Sequence, residues 1–248
     1  MPLTDSLIAF WKLEEASGTR VDEIGNNDLT DNNTVTQATG KVGNCAQFTA
    51  ANLEYLSIAD NPDLSFADED FTFALWVYFD SLTNYRILLM KDNASAVADD
   101  DLPYRIYTND GNADKITFNV GNNTISGSVA DDTLGTPSTA TWYFVVAWHD
   151  SVANTVNIRV NNGTADSASY SGGSFDDGSP FSLGRQDVGG LYHDGRLDAV
   201  GVWGRVLTSG EQTELWNGGN GRETPFASFA LLDSTVPGIT DWTRRYNR

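Results

Sequence analysis

The segment Phe71 to Phe79 reads FTFALWVYF, and its odd positions Phe71, Phe73, Leu75, Val77 and Phe79 form one apolar row. Trp76 and Tyr78 fall in the other row. Thr155 to Val160 repeats the pattern with Val156, Ile158 and Val160 on one side. A period of two marks a strand in an antiparallel sheet with one buried face. The same signal, short runs rich in Val, Ile, Phe, Tyr and Trp bounded by Gly, Asn and Asp, recurs at 7–12, 45–48, 55–58, 85–90, 104–108, 115–120, 125–128, 142–148, 167–170, 181–183 and 195–203. Asn109-Asp110-Gly111 and Asn161-Asn162-Gly163 predict tight hairpins, because Asn and Gly accept positive φ.

About a dozen half-buried strands require two antiparallel sheets stacked face to face, since each must cover its apolar side. The expected core between them is Phe73, Leu75, Val77, Val145, Val156, Ile158 and Val202. A helical pattern occurs at Ser209-Gly210-Glu211-Gln212, with Leu215 and Trp216 on one side, and predicts a short C-terminal helix capping a sheet edge. The sandwich is expected to occupy residues 1–221. Residues 222–248 follow the Gly218-Gly219-Asn220-Gly221 run, hold Pro225 and Pro237, and show no alternation. They are expected to form a tail that docks on a partner chain or on the sandwich surface.

Charge changes the picture next. The 34 acidic residues outnumber 15 basic ones, giving −19 over 248 residues. A surface of that sign repels nucleic-acid backbones, and basic residues cluster at the C-terminus alone. No run approaches the ~20 apolar residues of a membrane-spanning helix, so membrane insertion is not expected. Met1 to Asp5 has neither the basic nor the apolar region of a secretory leader. The single cysteine, Cys45, excludes an intrachain disulfide and reads as a small buried apolar side chain.

"LIAFWKLEEASGTRVDEIGNNDLT", "DFTFALWVYFD", "TWYFVVAWHD", "VNIRVNNGT", "FSLGR" and "GRLDAVGVWGRVLTSGEQTELWN" follow one another in an order and spacing that resemble the bacterial and phage laminin-G-like domains of the concanavalin A-like lectin/glucanase superfamily. The resemblance runs over roughly residues 5 to 221. It implies an all-β, two-sheet antiparallel jelly-roll sandwich, with the first and last strands adjacent in one sheet. It also implies a structural Ca²⁺ at the rim, where the Asp-x-x-Gly-Asn loop meets the acid of the last strand. The matching positions are Asp22, Asn26, Asn27 and Asp198. Such hard oxygen donors suit calcium, and a charge inside an apolar strand must be paired or ligated. The alternative is that Asp22 and Asn27 only shape a turn and Asp198 bonds to backbone. Where the family often carries histidine, this chain has Phe144.

Asp99, Asp100 and Asp101 are three successive carboxylates in a loop and form a second candidate, for ligand binding, against the alternative of a solvated loop. Tyr85, Tyr104, Tyr107, Trp148, Tyr170 and Tyr192 are candidate platforms for a sugar or a protein, with Tyr104 and Tyr192 singled out. Trp242, Arg244, Arg245 and Arg248 are the candidate partner-docking residues of the tail. Catalysis is not expected. The paired carboxylates of a glycoside hydrolase are missing, and His149 and His193 read as surface turn residues. The expected function is a non-enzymatic binding module for carbohydrate or a protein surface, in a homo-oligomer or larger assembly, as a phage virion surface or tail component or in another extracellular setting. The alternatives are a purely structural capsid decoration protein and a degenerate glycoside hydrolase.

Overall fold

The computed structural model describes residues 1–83, 85–91, 101–109, 113–186 and 190–222. The strands are β1 (Leu7–Trp11), β2 (Thr30–Asn32), β3 (Thr36–Thr39), β4 (Asn44–Phe48), β5 (Tyr55–Ile58), β6 (Phe71–Phe79), β7 (Arg86–Lys91), β8 (Tyr104–Asn109), β9 (Lys115–Gly121), β10 (Ser126–Ala130), β11 (Trp142–Asp150), β12 (Thr155–Val160), β13 (Asp166–Ser169), β14 (Phe181–Leu183), β15 (Arg185–Gln186), β16 (Leu191–Tyr192) and β17 (Gly195–Trp203). Helix α1 spans Ser209–Trp216. One sheet has the order β13-β12-β11-β6-β17-β4-β3, with β1 also on β17, and the other has β10-β9-β8-β7-β14-β5-β2. The pairings within both sheets are antiparallel.

All seven expected core residues are fully or almost fully buried between the sheets. The row of β6 opposite to them is largely buried as well, with Tyr78 half-buried at its end. Trp76 stacks on Trp216 of α1, with ring centroids 5.2 Å apart. Helix α1 therefore covers the outer face of the central strands β6 and β11, where Trp76, Phe144, Val146 and Leu215 form a second apolar cluster. It does not cap a sheet edge, as the sequence suggested. Thr208 caps the helix: its side chain accepts from Glu211 N–H while the Glu211 carboxylate accepts from Thr208 N–H.

The short strands β2 and β3 escape the sequence pattern because TDN and TQAT hold almost no apolar residue. The strand expected over 125–128 is displaced to Ser126–Ala130. The Asn161-Asn162 turn forms as expected, with φ of 51° and 57°. The other predicted turn lies at the boundary of the described residues.

Strand β17 carries the main irregularity. It keeps β6 on one side throughout, but on the other it passes from β4, paired at Gly195–Leu197, to β1, paired at Val200–Trp203. The change of neighbour falls at a bulge after Asp198, where Ala199 takes φ 48°.

Candidate functional site

The bulge explains the acid inside the last strand. Asp198 is 1% exposed. Its Oδ2 accepts the N–H groups of Lys41 (2.7 Å) and Val42 (2.9 Å), from the turn joining β3 to β4. The carboxylate thus takes the place of a strand partner where the ladder is interrupted. Gly40 permits the approach, since a Cβ there would lie 2.5 Å from Oδ2. Burial pushes the Asp198 pKa up to about 7, against the opposing pull of the Val42 and Lys41 N–H groups, and Glu14 adds to the rise.

Asp22 belongs to a different network. Its Oδ1 accepts from Phe10 N (2.9 Å) and Ile24 N (3.1 Å). Its Oδ2 accepts from Gly25 N (3.0 Å), Asn27 N (3.2 Å) and Asn27 Nδ2 (3.2 Å). The Asn27 side-chain oxygen accepts from Asn61 Nδ2 (2.7 Å), and Asn26 is exposed. A calcium site needs several oxygens converging with their lone pairs free. Here both Asp22 oxygens, the Asn27 side-chain oxygen and Asp198 Oδ2 already accept from N–H donors, and Asp22 and Asp198 share no bonded partner. Among the described residues no three His, Cys, Asp or Glu side chains converge on a metal position. The set Asp22, Asn26, Asn27 and Asp198 does not fit the calcium implied by the resemblance; its carboxylates shape turns instead.

Several other sequence expectations need correction. Tyr104 is fully buried and donates its hydroxyl to Leu64 O (2.7 Å), so no ligand reaches it. Tyr107 and Tyr170 are buried too. His149 and His193 are both 0% exposed, not surface turn residues. His149 Nδ1 lies 2.9 Å from Glu69 O, which assigns the proton to Nδ1. His193 sits edge-on between Phe48 and Phe79, and burial lowers its pKa to about 3. Cys45 is buried as expected, and burial raises its thiol to about 12. Asp101 is half-buried; Asp99 and Asp100, like Trp242, Arg244, Arg245 and Arg248, lie outside the described residues.

Two of the candidate aromatics do meet. Tyr85 and Tyr192 line one cleft of about 300 Å³, with Ala50, Ala51, Leu53, Arg86, Gly190 and Leu191. Each wall has a local cause. Tyr85 precedes β7 and stacks on Tyr107 (5.9 Å, 10°), which fixes the ring. Tyr192, on β16, leans on Tyr55 (6.4 Å), whose other neighbour is the Arg185 guanidinium, 4.1 Å from its ring centre. Arg86 ties the walls together. It donates to Ser81 O (3.1 Å), Ser81 Oγ (2.9 Å) and Tyr192 O (3.0 Å), with the Asp194 carboxylate 4.0 Å away. Burial lowers its pKa, an effect Asp194 partly offsets.

At the rim Leu53 is 50% exposed and takes φ 60°. That left-handed conformation is uncommon for leucine. It is held by Leu53 N–H donating to Ala50 O (3.0 Å) and by Asn33 Nδ2 donating to Leu53 O (2.7 Å). Sequence reasoning missed Leu53, Arg86 and Arg185, because a turn leucine and two strand arginines carry no motif. No carboxylate lines the cleft among the described residues. The acid pair of a glycoside hydrolase is therefore missing from its walls.

Solved structures with the same fold include the binding domain of Paraclostridial Mosquitocidal Protein 1, with a TM-score of 0.68 and 16% identity over 87% of this chain and 53% of that one. Domain 4 of AbnA, a GH43 extracellular arabinanase from Geobacillus stearothermophilus, solved in complex with arabinotriose, gives a TM-score of 0.62 and 18% identity over 84% and 97% of the two chains. The ligand-binding domain of botulinum neurotoxin serotype D, solved with N-acetylneuraminic acid, gives 0.62 and 12% over 86% and 51%. The chain thus spans about half the length of both toxin fragments. No curated protein sequence matches it. The sequence model of the laminin-G type matches residues 52–211, well over half of the chain, and the protein belongs to the concanavalin A-like lectin/glucanases superfamily.

Proposed function

We propose that the chain is a non-enzymatic binding module that takes a carbohydrate in the Tyr85–Tyr192 cleft. The observation that carries this reading is the cleft itself. Two aromatic rings, one stacked on Tyr107 and one leaning on Tyr55, with an exposed leucine and a buried guanidinium, surround a space that accommodates one or two sugar rings. Fixed aromatic faces with a few polar groups are the usual lining of a small-ligand site. The arabinotriose and N-acetylneuraminic acid complexes of same-fold domains support the ligand class by analogy of fold.

A glycan array probed with the parent protein and with Tyr192→Ala tests the reading. The parent is expected to bind a defined set of glycans, and the variant to lose about tenfold or more, roughly 1.4 kcal/mol. A parent that binds none, or a variant that binds equally well, overturns it. A reducing-sugar assay on the bound glycans is expected to show no release.

We also propose that residues 222–248 mediate assembly, on a virion or in another extracellular particle. The motivation is the sequence: Arg244, Arg245 and Arg248 end a strongly acidic chain. Deleting residues 225–248 is expected to leave the sandwich folded and to lower the particle mass measured by native mass spectrometry. An unchanged mass speaks against the tail as a docking element.

A further inference from the structure

We infer that the groove between the β12–β13 hairpin and the start of α1 is a second saccharide site, one that selects a sugar bearing a carboxylate. The groove measures about 580 Å³ and shares no lining residue with the Tyr85–Tyr192 cleft. Its apolar part includes Trp148 and Leu207, which continue the cluster beneath α1, and Val206. Trp148 is only half-buried, so part of its indole is open, where Trp76 has been covered by the helix. A partly open indole beside hydroxyl-bearing residues offers a sugar ring an apolar face and hydrogen bonds together. Thr164 and Ser209 are exposed at the rim.

The charge selectivity comes from Arg159. Its Nε donates to Gly163 O (2.7 Å), its Nη2 to Asn162 O (3.0 Å) and its Nη1 to Gln212 Oε1 (3.1 Å). Gln212 is itself buried and fixed by donating to Leu207 O (3.0 Å). The guanidinium is therefore held from both sides of the groove, by acceptors that are all neutral among the described residues. These take about three of the five N–H groups an arginine carries. Arg159 pairs with no carboxylate among the described residues, in a chain with net charge −19. The nearby acid Glu211 is already engaged by Arg205 through contacts of 2.7 and 2.9 Å. No acidic residue lines the groove among the described residues. Partial burial also lowers the Arg159 pKa from its ordinary value. A carboxylate supplied by a ligand would meet a guanidinium already positioned, which is the geometry in which charge-assisted hydrogen bonds are strongest.

Two probes that differ only at the charged group test this: methyl β-D-glucuronide and methyl β-D-glucoside, titrated by NMR with the Trp148 indole N–H assigned through Trp148→Phe. The parent is expected to bind the glucuronide at least ~10-fold more tightly than the glucoside. Arg159→Gln is expected to bring the two within about 2-fold, while Arg159→Lys, which keeps the charge, retains part of the preference. Trp148→Ala should lose both probes, and Tyr192→Ala should change neither, which separates this site from the first. Melting temperatures verify that each variant is folded. Should Arg159→Gln not fold, the assigned indole signal and the Arg159→Lys titration still decide the question. Equal affinity for the two probes, no binding of either up to ~10 mM, a preference that survives Arg159→Gln in folded protein, or an indole signal that does not move overturns the inference.

Discussion

Asp22 and Asp198 are both buried acids beside backbone irregularities, and the resemblance joined them in one cation site. Their surroundings differ in kind. Asp22 is wrapped by five N–H donors from its own loop and from β1. Asp198 receives two from the turn between β3 and β4, with a further backbone N–H from Ala199, and is otherwise enclosed by the protein. The first is an anion solvated by backbone. The second is an acid whose charge is poorly compensated, as its raised pKa shows. Burial of a carboxylate in a sequence motif thus does not predict a metal; the orientation of the dipoles around it decides.

Three experiments sharpen or break that contrast. The largest effect is expected from Asp22→Ala, which strands the buried N–H groups of Phe10 and Asn27 at about 1–3 kcal/mol each. Urea unfolding should show a loss of ~3 kcal/mol or more, and a loss below ~1 kcal/mol would mean the loop re-satisfies its donors elsewhere.

Asp198→Asn comes second. The parent carboxyl has a folded pKa of about 7 against an ordinary 3.8, so between those values the folded state holds a proton that the unfolded state has released. Its contribution to stability is complete below the lower value and declines as pH rises toward the upper one. Asparagine does not titrate. The variant is therefore expected to match the parent near pH 4 and to exceed it by about 2–4 kcal/mol at pH 8. His193, with its pKa lowered to about 3, acts with opposite sign, losing stability as pH falls below ~6.5. It is common to both proteins and cancels in the difference. A difference that is flat from pH 4 to 8 would refute the assignment.

The smallest effect is calcium itself. Adding millimolar Ca²⁺ is expected to move the melting temperature by less than ~1 °C, because nothing should bind the folded state selectively. A rise of several degrees, lost in Asp22→Asn, would restore the metal reading.

The sandwich was legible because its inner faces obey a strict period. Phe73, Leu75 and Val77 on β6 and Val156 and Ile158 on β12 each lie where alternation puts them. The outer faces were less legible. Trp76 and Phe144 look like surface aromatics until α1 is seen to lie on them. The same ambiguity misplaced Tyr104, a strand aromatic that alternation cannot assign to core or platform. Tyr192 was found as a residue, but its cleft was not, since that depends on a turn at Ala50–Leu53 and on Arg86, far away in the chain. Arg159 carried no signal at all, because what distinguishes it is the lack of an acid partner among the described residues, which no local pattern records.

The change of neighbours along β17 bears on how the protein is made. Strands β7 to β10 are neighbours in sequence and in space, so this half of the second sheet can zip up as it leaves the ribosome. The first sheet can do so only in its β11–β13 and β3–β4 hairpins; its centre cannot. Its β1 has the final strand as its ladder partner, and β6 waits for the same strand on one flank. Until residue 203 or so has emerged, the apolar rows of Leu7–Trp11 and Phe71–Phe79 have open edges, the condition under which strands join the wrong chain. A nascent chain stalled before β17 should be bound by chaperones, and one stalled after α1, with enough tether to clear the exit tunnel, should be released.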